Sequence, residues 1–175
     1  MKMFKGFVIT LAGLFIFITF FSLLIPSKIL TVKSVIIQAP AKLIYSEITD
    51  LHRWQNWQPL IKSKSSAIKY TGIGKGATAS WNDGNKLNQV AISSASFTEI
   101  HFTISKTGEN NIPNIITLTN LKDSTSTEVQ WQSITNLSWY PWEKFAGIFV
   151  EKITGPILQE SLNSLKNYIE KKENY

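Results

Sequence analysis

The chain contains no cysteine. That excludes disulfides, thiolate catalysis, cysteine-ligated zinc and an acyl anchor on cysteine. Histidine is scarce as well: only His52 and His101 occur. Both sit among polar residues, with no second histidine at metal-ligand spacing, so they read as surface residues, or as residues supporting a site from behind, rather than as ligands. Dense basic clusters are missing too. Taking Lys2, Lys5 and Lys28 from the 18 basic residues leaves 15 against 12 acidic ones, scattered along the chain. The nearest approach to a cluster, Lys62, Lys64 and Lys69, lacks the density of a nucleic-acid footprint, and no nucleic-acid partner is expected. No convergent acid–base set falls on inward positions. Asp50, His52 and Arg53 stand together but suit capping and surface roles. No catalytic residue, metal site or cofactor is therefore assigned.

What the chain has in abundance is apolar surface. Hydrophobic residues make up 43% of it and charged ones 17%, the balance of a globular chain. Its 175 residues suit one domain plus an appendage. Phe4–Ile25 carries no charge after Lys5, and Gly6–Ile25 has about the ~20 residues needed to cross a bilayer. A cleaved signal peptide has a shorter apolar core and a small-residue site, which Phe21-Ser-Leu-Leu does not offer. A buried core helix is not apolar on every side. The segment is expected to be an uncleaved anchor, residues 1–28, carrying a domain of residues 29–175. Lys2 and Lys5 favour a cytoplasmic N-terminus, Lys28 and Lys33 weakly oppose it, and the domain is expected outside the cytoplasm.

The domain opens on a strand in which Val35 and Ile37 share one face. Ala39-Pro40 stops it. Ile44, Ile48 and Leu51 then recur at helical spacing, Asp50 can cap a second short helix, and Trp54 and Trp57 fall three apart on one face of that helix. Pro59 closes the segment. A short strand around Ile68 and Tyr70 follows. Gly72-Ile-Gly74-Lys-Gly76 resembles a phosphate loop, but the period-2 run Ala77, Ala79, Trp81 comes next instead of a helix, so the glycines mark a hairpin turn. Asn82–Asn85 turns the chain into a strand from about Lys86 to Ser94. Ile100, Phe102 and Ile104 alternate with polar residues, as do Val129, Trp131 and Ser133, with a strand over about Ile112–Leu121 between them. Gly108–Asn111 and Lys122–Thr125 are turns. One face of this sheet is wet, and short turns imply an antiparallel meander. Asn136-Leu-Ser138 fits a glycosylation triplet, a pattern common by chance. Phe145, Phe149, Ile153, Ile157, Leu162, Leu165 and Ile169 form a long amphipathic helix, and Gly155-Pro156 is expected to interrupt and kink it.

A strand, two short helices, a meander and a long C-terminal helix make an α+β helix-grip: a curved antiparallel sheet of about seven strands wrapped around its last helix. The pieces Ser34–Pro40, Thr49–Trp54 with Trp57 and Pro59, Gly74-x-Gly76 with Trp81, Ser126–Trp131, and Gly155-Pro156 with Leu162, Leu165, Lys166 and Glu170 resemble the START-like, Bet v 1-like (SRPBCC) superfamily, in its polyketide cyclase/dehydrase branch. The resemblance spans about residues 32–173. It implies seven strands and a cavity between the sheet and the last helix that holds lipids, sterols, polyketides or quinones.

On that basis Trp81, Phe102, Trp131, Trp142, Phe149 and Ile153 are candidate cavity-lining residues. Large aromatics in a small sheet protein also serve as core, and Trp54 and Trp57 read as structural. Three functions follow: membrane-anchored binding or transfer of a lipid, isoprenoid or polyketide-like molecule; a cyclase/dehydrase-type enzyme; or an interaction scaffold with a filled core. The first is preferred, with the membrane reached through Phe4–Ile25.

Overall fold

The computed structural model describes residues 2–64, 67–121 and 125–173. Its first element, α1 (Lys2–Ser22), is the apolar run. The span Met3–Ser22 has 20 residues and a mean hydropathy of 2.1, and its apolar residues lie exposed instead of packed on the rest of the chain, with Ser22 at its end buried. It is long and apolar enough to cross a membrane.

Seven strands follow: β1 (Lys28–Ile37), β2 (Lys69–Thr71), β3 (Thr78–Asp83), β4 (Lys86–Ala95), β5 (Glu99–Lys106), β6 (Ile112–Asn120) and β7 (Thr127–Asn136). They form one antiparallel sheet in the order β1-β7-β6-β5-β4-β3-β2. Strands β2 to β7 are the expected meander. β1 returns to pair with β7, which makes β1 and β2 the two edges. A bulge between Ile92 and Ser94 bends β4 against β5. The loop before β3 is a tight turn, with Gly72, Gly74 and Gly76 all at positive φ. It folds back through Gly74 N–H to the Thr49 carbonyl (2.9 Å) and Gly76 N–H to the Ile92 carbonyl (2.8 Å). Residues 122–124 of the turn expected at Lys122–Thr125 lie outside the described residues.

Between β1 and β2 the chain makes α2 (Ala41–Thr49), a 3-10 turn (Leu51–Arg53), α3 (Trp54–Trp57) and α4 (Pro59–Lys62). Asp50 caps as its sequence position predicts: its Oδ1 accepts from His52 N–H at 3.0 Å. Pro59 does not close the segment. It starts α4 at the first turn, where its missing N–H is not needed. The Gln58 side chain caps that helix, its Oε1 accepting from Leu60 N–H (2.6 Å) and Ile61 N–H (3.3 Å).

The C-terminal part is α5 (Pro141–Gly147) followed by α6 (Val150–Glu173). Two features depart from the expected helix. The break falls at Ile148–Phe149, and α6 runs through Pro156. Proline removes one backbone bond, but packing on both sides of it holds the helix. Gly155 sits over β1 so closely that a Cβ there would lie 3.0 Å from Lys33 Cε, and Leu158 beyond it is buried. α6 packs chiefly along β1, with α3 and α4 beside it.

The core lies between the sheet and these helices. Trp54, Trp57, Phe102 and Trp131 are fully buried. Trp54 is central: its ring lies 5.1 Å from Trp57, 5.3 Å from Phe102 and 6.4 Å from Trp131, and Phe102 and Trp131 are 5.6 Å apart. Its indole N–H donates to the Ile48 carbonyl at 2.8 Å. Trp54→Ala is expected to cost about 3–5 kcal/mol, as large-to-small core changes do. Chemical denaturation checks this against Trp139→Ala, an exposed position whose truncation should leave stability nearly unchanged.

Candidate ligand site

The register fixes which side chains face the helices. Ile29, Thr31, Lys33, Val35 and Ile37 of β1 face inward, opposite Thr135, Ser133, Trp131, Val129 and Thr127 of β7. On β5 the inward set is Ile100, Phe102 and Ile104, as alternation predicts. Inward does not mean uniformly apolar. Thr31, Ser133 and Asn114 make one row across β1, β7 and β6, and all three are buried. Asn114 Oδ1 accepts from Trp131 Nε1 at 3.0 Å, and its Nδ2 donates to the Ile112 carbonyl at 2.8 Å. So Trp131 is held at both its ring face and its N–H.

The aromatic box fills the middle of the grip. Open volume remains beside it. A cavity of about 280 Å³ lies between α4 and the inner face of β3 to β6. Trp81, Leu60, Ile104 and Ile112 supply its apolar walls, while Lys64, Asp83, Lys106 and Glu109 line it as charged groups. The charges pair: Lys64 Nζ with Asp83 at 3.4 Å, and Lys106 Nζ with Glu109 at 2.9 Å. Glu109 also takes Lys86 Nζ at 3.0 Å. Hydrogen bonds from Lys106 and Lys86 hold the Glu109 carboxyl below its usual range.

The six candidate residues do not come together. Trp81 lines this cavity, and Phe102 and Trp131 are box residues. Trp142, Phe149 and Ile153 point away from the sheet and are 62%, 54% and 64% exposed. The reason is helical phase. α5 turns Pro141, Lys144 and Gly147 inward, and α6 turns Gly155 and Leu158 inward, which puts Ile153 on the far side. His101 lies on the outer face, paired with Glu99 at 2.6 Å. His52 is exposed and stacks on Tyr70 at 4.2 Å. Burial raises the Tyr70 phenol above its ordinary pKa.

Two buried ionisable groups, Lys144 of α5 and Glu47 of α2, were missed by the sequence reading. Glu47 lies on the apolar face of α2, three residues after Ile44, and its side chain is fully buried. Its Oε1 accepts from Arg53 Nη1 and from Lys172 Nζ, both at 2.8 Å. Those hydrogen bonds raise both cations above their ordinary pKa values. The cluster ties α2 and the 3-10 turn to the end of α6. It does not border the cavity.

Residues 28–170 match the family described as polyketide cyclase / dehydrase and lipid transport. The chain belongs to that family. A search of the curated proteins gives no match. Solved structures of the same fold include a protein of unknown function from Staphylococcus aureus (10% identity, TM-score 0.63, 85% of this chain and 97% of that one). A Nitrosospira multiformis protein is similar at 17% identity and TM-score 0.61, over 84% of this chain and 100% of that one. A START superfamily protein from Mycobacterium smegmatis is similar at 17% identity and TM-score 0.59, over 81% of this chain and 97% of that one. At these identities the likeness establishes the helix-grip fold.

For this polyketide cyclase/dehydrase and lipid transport family member, the Glu47 cluster predicts an order of variants. Glu47→Gln strands no charge in the interior, because Arg53 and Lys172 are 42% and 46% exposed at their side chains. Removing both cations leaves a buried carboxylate alone, the case that costs about 3–5 kcal/mol. Arg53→Ala combined with Lys172→Ala should therefore lower the unfolding free energy more than Glu47→Gln does, measured by urea denaturation at neutral pH.

Proposed function

We propose that this protein is held at a membrane by α1 and binds a hydrophobic small molecule, of lipid, isoprenoid or polyketide-like character, at the inner face of its sheet without transforming it. Family membership and the cavity under α4, apolar on one side and charged on the other, support the reading. The cavity carries the argument because of its walls: Trp81, Leu60, Ile104 and Ile112 offer apolar contact, and a ligand there gains roughly 25 cal/mol per Å² removed from water. Its volume of about 280 Å³ falls just below the roughly 300–1,000 Å³ of ligand pockets. That size suits a small apolar molecule, or one end of a longer chain whose remainder stays outside. No residue of α6 lines it, so the site lies to one side of the position that the helix-grip resemblance implies.

The anchor half of the reading is supported by the length and exposure of α1. Lys2 and Lys5 before it, under the positive-inside rule, support a domain outside the cytoplasm.

Ile104→Trp tests the ligand half by filling the cavity from its wall. Detergent-extracted wild-type protein examined by native mass spectrometry is expected to carry a co-purified apolar adduct, and Ile104→Trp to lose it at a similar melting temperature. Wild-type protein that is folded and free of adduct means a scaffold with a closed interior. Conversion of the bound molecule into a second mass on incubation means an enzyme.

A further inference from the structure

α5 is built inside out by the standards of a helix in water. It buries its lysine and exposes its tryptophan: Lys144 is 3% exposed and Trp142 62%. Lys144 Nζ donates to the Ile25 carbonyl at 3.0 Å and to Ser27 Oγ at 2.6 Å. Ile25 lies just past Ser22, the C-terminal end of α1, where the helix dipole favours a cation. So α5 is fixed at the point where the apolar run of α1 stops. Close packing supports this attachment. Gly147 faces Leu137 and Ile29 so tightly that a Cβ there would overlap the Leu137 side chain.

The outward face continues from α5 into α6. Trp142, Phe145, Phe149, Ile153 and Ile157 recur at spacings of three and four residues, and all are exposed. Beyond Ile157 the same face of α6 carries Glu160, Asn163, Asn167 and Lys171, also exposed. The buried face does not change over this length: Gly155, Leu158, Leu162, Leu165 and Ile169 meet the body of the domain throughout. One continuous helix thus has an outward face that is apolar near α1 and polar away from it. A face in water throughout would be polar throughout. The switch marks a change of surroundings along the helix. Just before α5, Trp139 stacks near Tyr140 (4.7 Å) and Tyr140 on Trp142 (4.9 Å), all three at the surface. Tryptophan and tyrosine are the residues enriched where membrane meets water.

We propose that the outward face of α5 and the first turns of α6 lies in the interfacial layer of the bilayer that α1 crosses, so that the domain rests on the membrane instead of swinging from its anchor. This rests on the anchor reading above. Continuity with α1 favours lipid over a second copy or another protein: the stripe begins where the span ends, and α5 is bonded to that end. Amphipathic helices lying in the interface bury an apolar face of this kind about 5–10 Å into the headgroup and acyl boundary.

The absence of cysteine makes single-site labelling direct. Full-length Phe15→Cys, Ile153→Cys and Asn167→Cys, each carrying an environment-sensitive fluorophore, are reconstituted at one chain per phosphatidylcholine nanodisc. Quenching by doxyl-labelled lipid and by aqueous iodide is read for each. The expected result is that labels at positions 15 and 153 lose fluorescence to the lipid quencher and resist iodide, while the label at 167 does the reverse. If position 15 is quenched by lipid but position 153 behaves like 167, the anchor stands and the resting face is overturned. A label at 153 that resists both quenchers means that protein covers the stripe, which also overturns it. No lipid quenching at position 15 overturns the anchor itself.

Discussion

The fold depends on how the segment between β1 and β2 is held under the sheet. Its helices are too short to be stable on their own. They are fixed by Trp54, whose ring meets Trp57, Phe102 and Trp131 and whose N–H is bonded within α2 to Ile48. A buried aromatic of roughly 150–250 Å² contributes about 4–6 kcal/mol by area, before ring–ring geometry is counted. With Trp54 in place, Gln58 can cap α4 and reach Ser161 of α6 at 3.3 Å, and Glu47 can collect Arg53 and Lys172. The contacts between α6 and the inserted helices therefore follow from one ring filling the middle of the grip. The same packing decides where a ligand has room: beside the box, under α4.

The strands were legible wherever one face is buried and the other wet. Ile100, Phe102 and Ile104, and Val129 and Trp131, alternate cleanly because the sheet has a dry side. The first half of β1 was not legible for the opposite reason. Its inward positions are Ile29, Thr31 and Lys33, and two of those three are polar. Gly155 lets α6 close over them, with the Lys33 stem as packing material, while the Thr31 hydroxyl is buried with no hydrogen-bond partner among the described residues. Only the pairing of Lys28 with Asn136 reveals that the strand begins there. Proline misled in two places for one reason. Pro59 reads as a close and Gly155-Pro156 as an interruption, yet proline at a first turn gives up no needed N–H, and inside a well-packed helix the loss of one bond is offset.

The inward face was legible only in part. Period-2 alternation places Phe102 and Trp131 on the inward face, and that is where they lie, with Trp81 of β3 buried as well. Phe149 and Ile153 read as lining residues because they belong to an apolar helical stripe, and Trp142 as a further aromatic wall, but all three are exposed. Periodicity shows that a helix has an apolar face but not what that face meets. In α6 two apolar faces exist, one on the sheet and one outward, and they overlap in sequence between Ile153 and Leu158. Glu47 shows the reverse case. It sits at helical spacing from Ile44, so its burial could have been read from position, had its charge not argued against it.

The distribution of polarity is then the common thread. Around β1 and α5 the interior holds Thr31, Lys33, Asn114, Ser133 and Lys144, while the surface nearby holds Trp139, Trp142, Phe149 and Ile153. At the other end of α6 the usual order returns, with Leu162, Leu165 and Ile169 inside and Asn163, Asn167 and Lys171 outside. Buried polar groups cost free energy unless they are bonded. Lys144 and Asn114 are bonded, and Lys33 retains partial exposure. Exposed apolar groups in water carry a cost that no hydrogen bond relieves, and it falls only when another apolar medium covers them. The two ends of α6 therefore answer to different surroundings, and the boundary between them lies within a single helix, between Ile157 and Glu160.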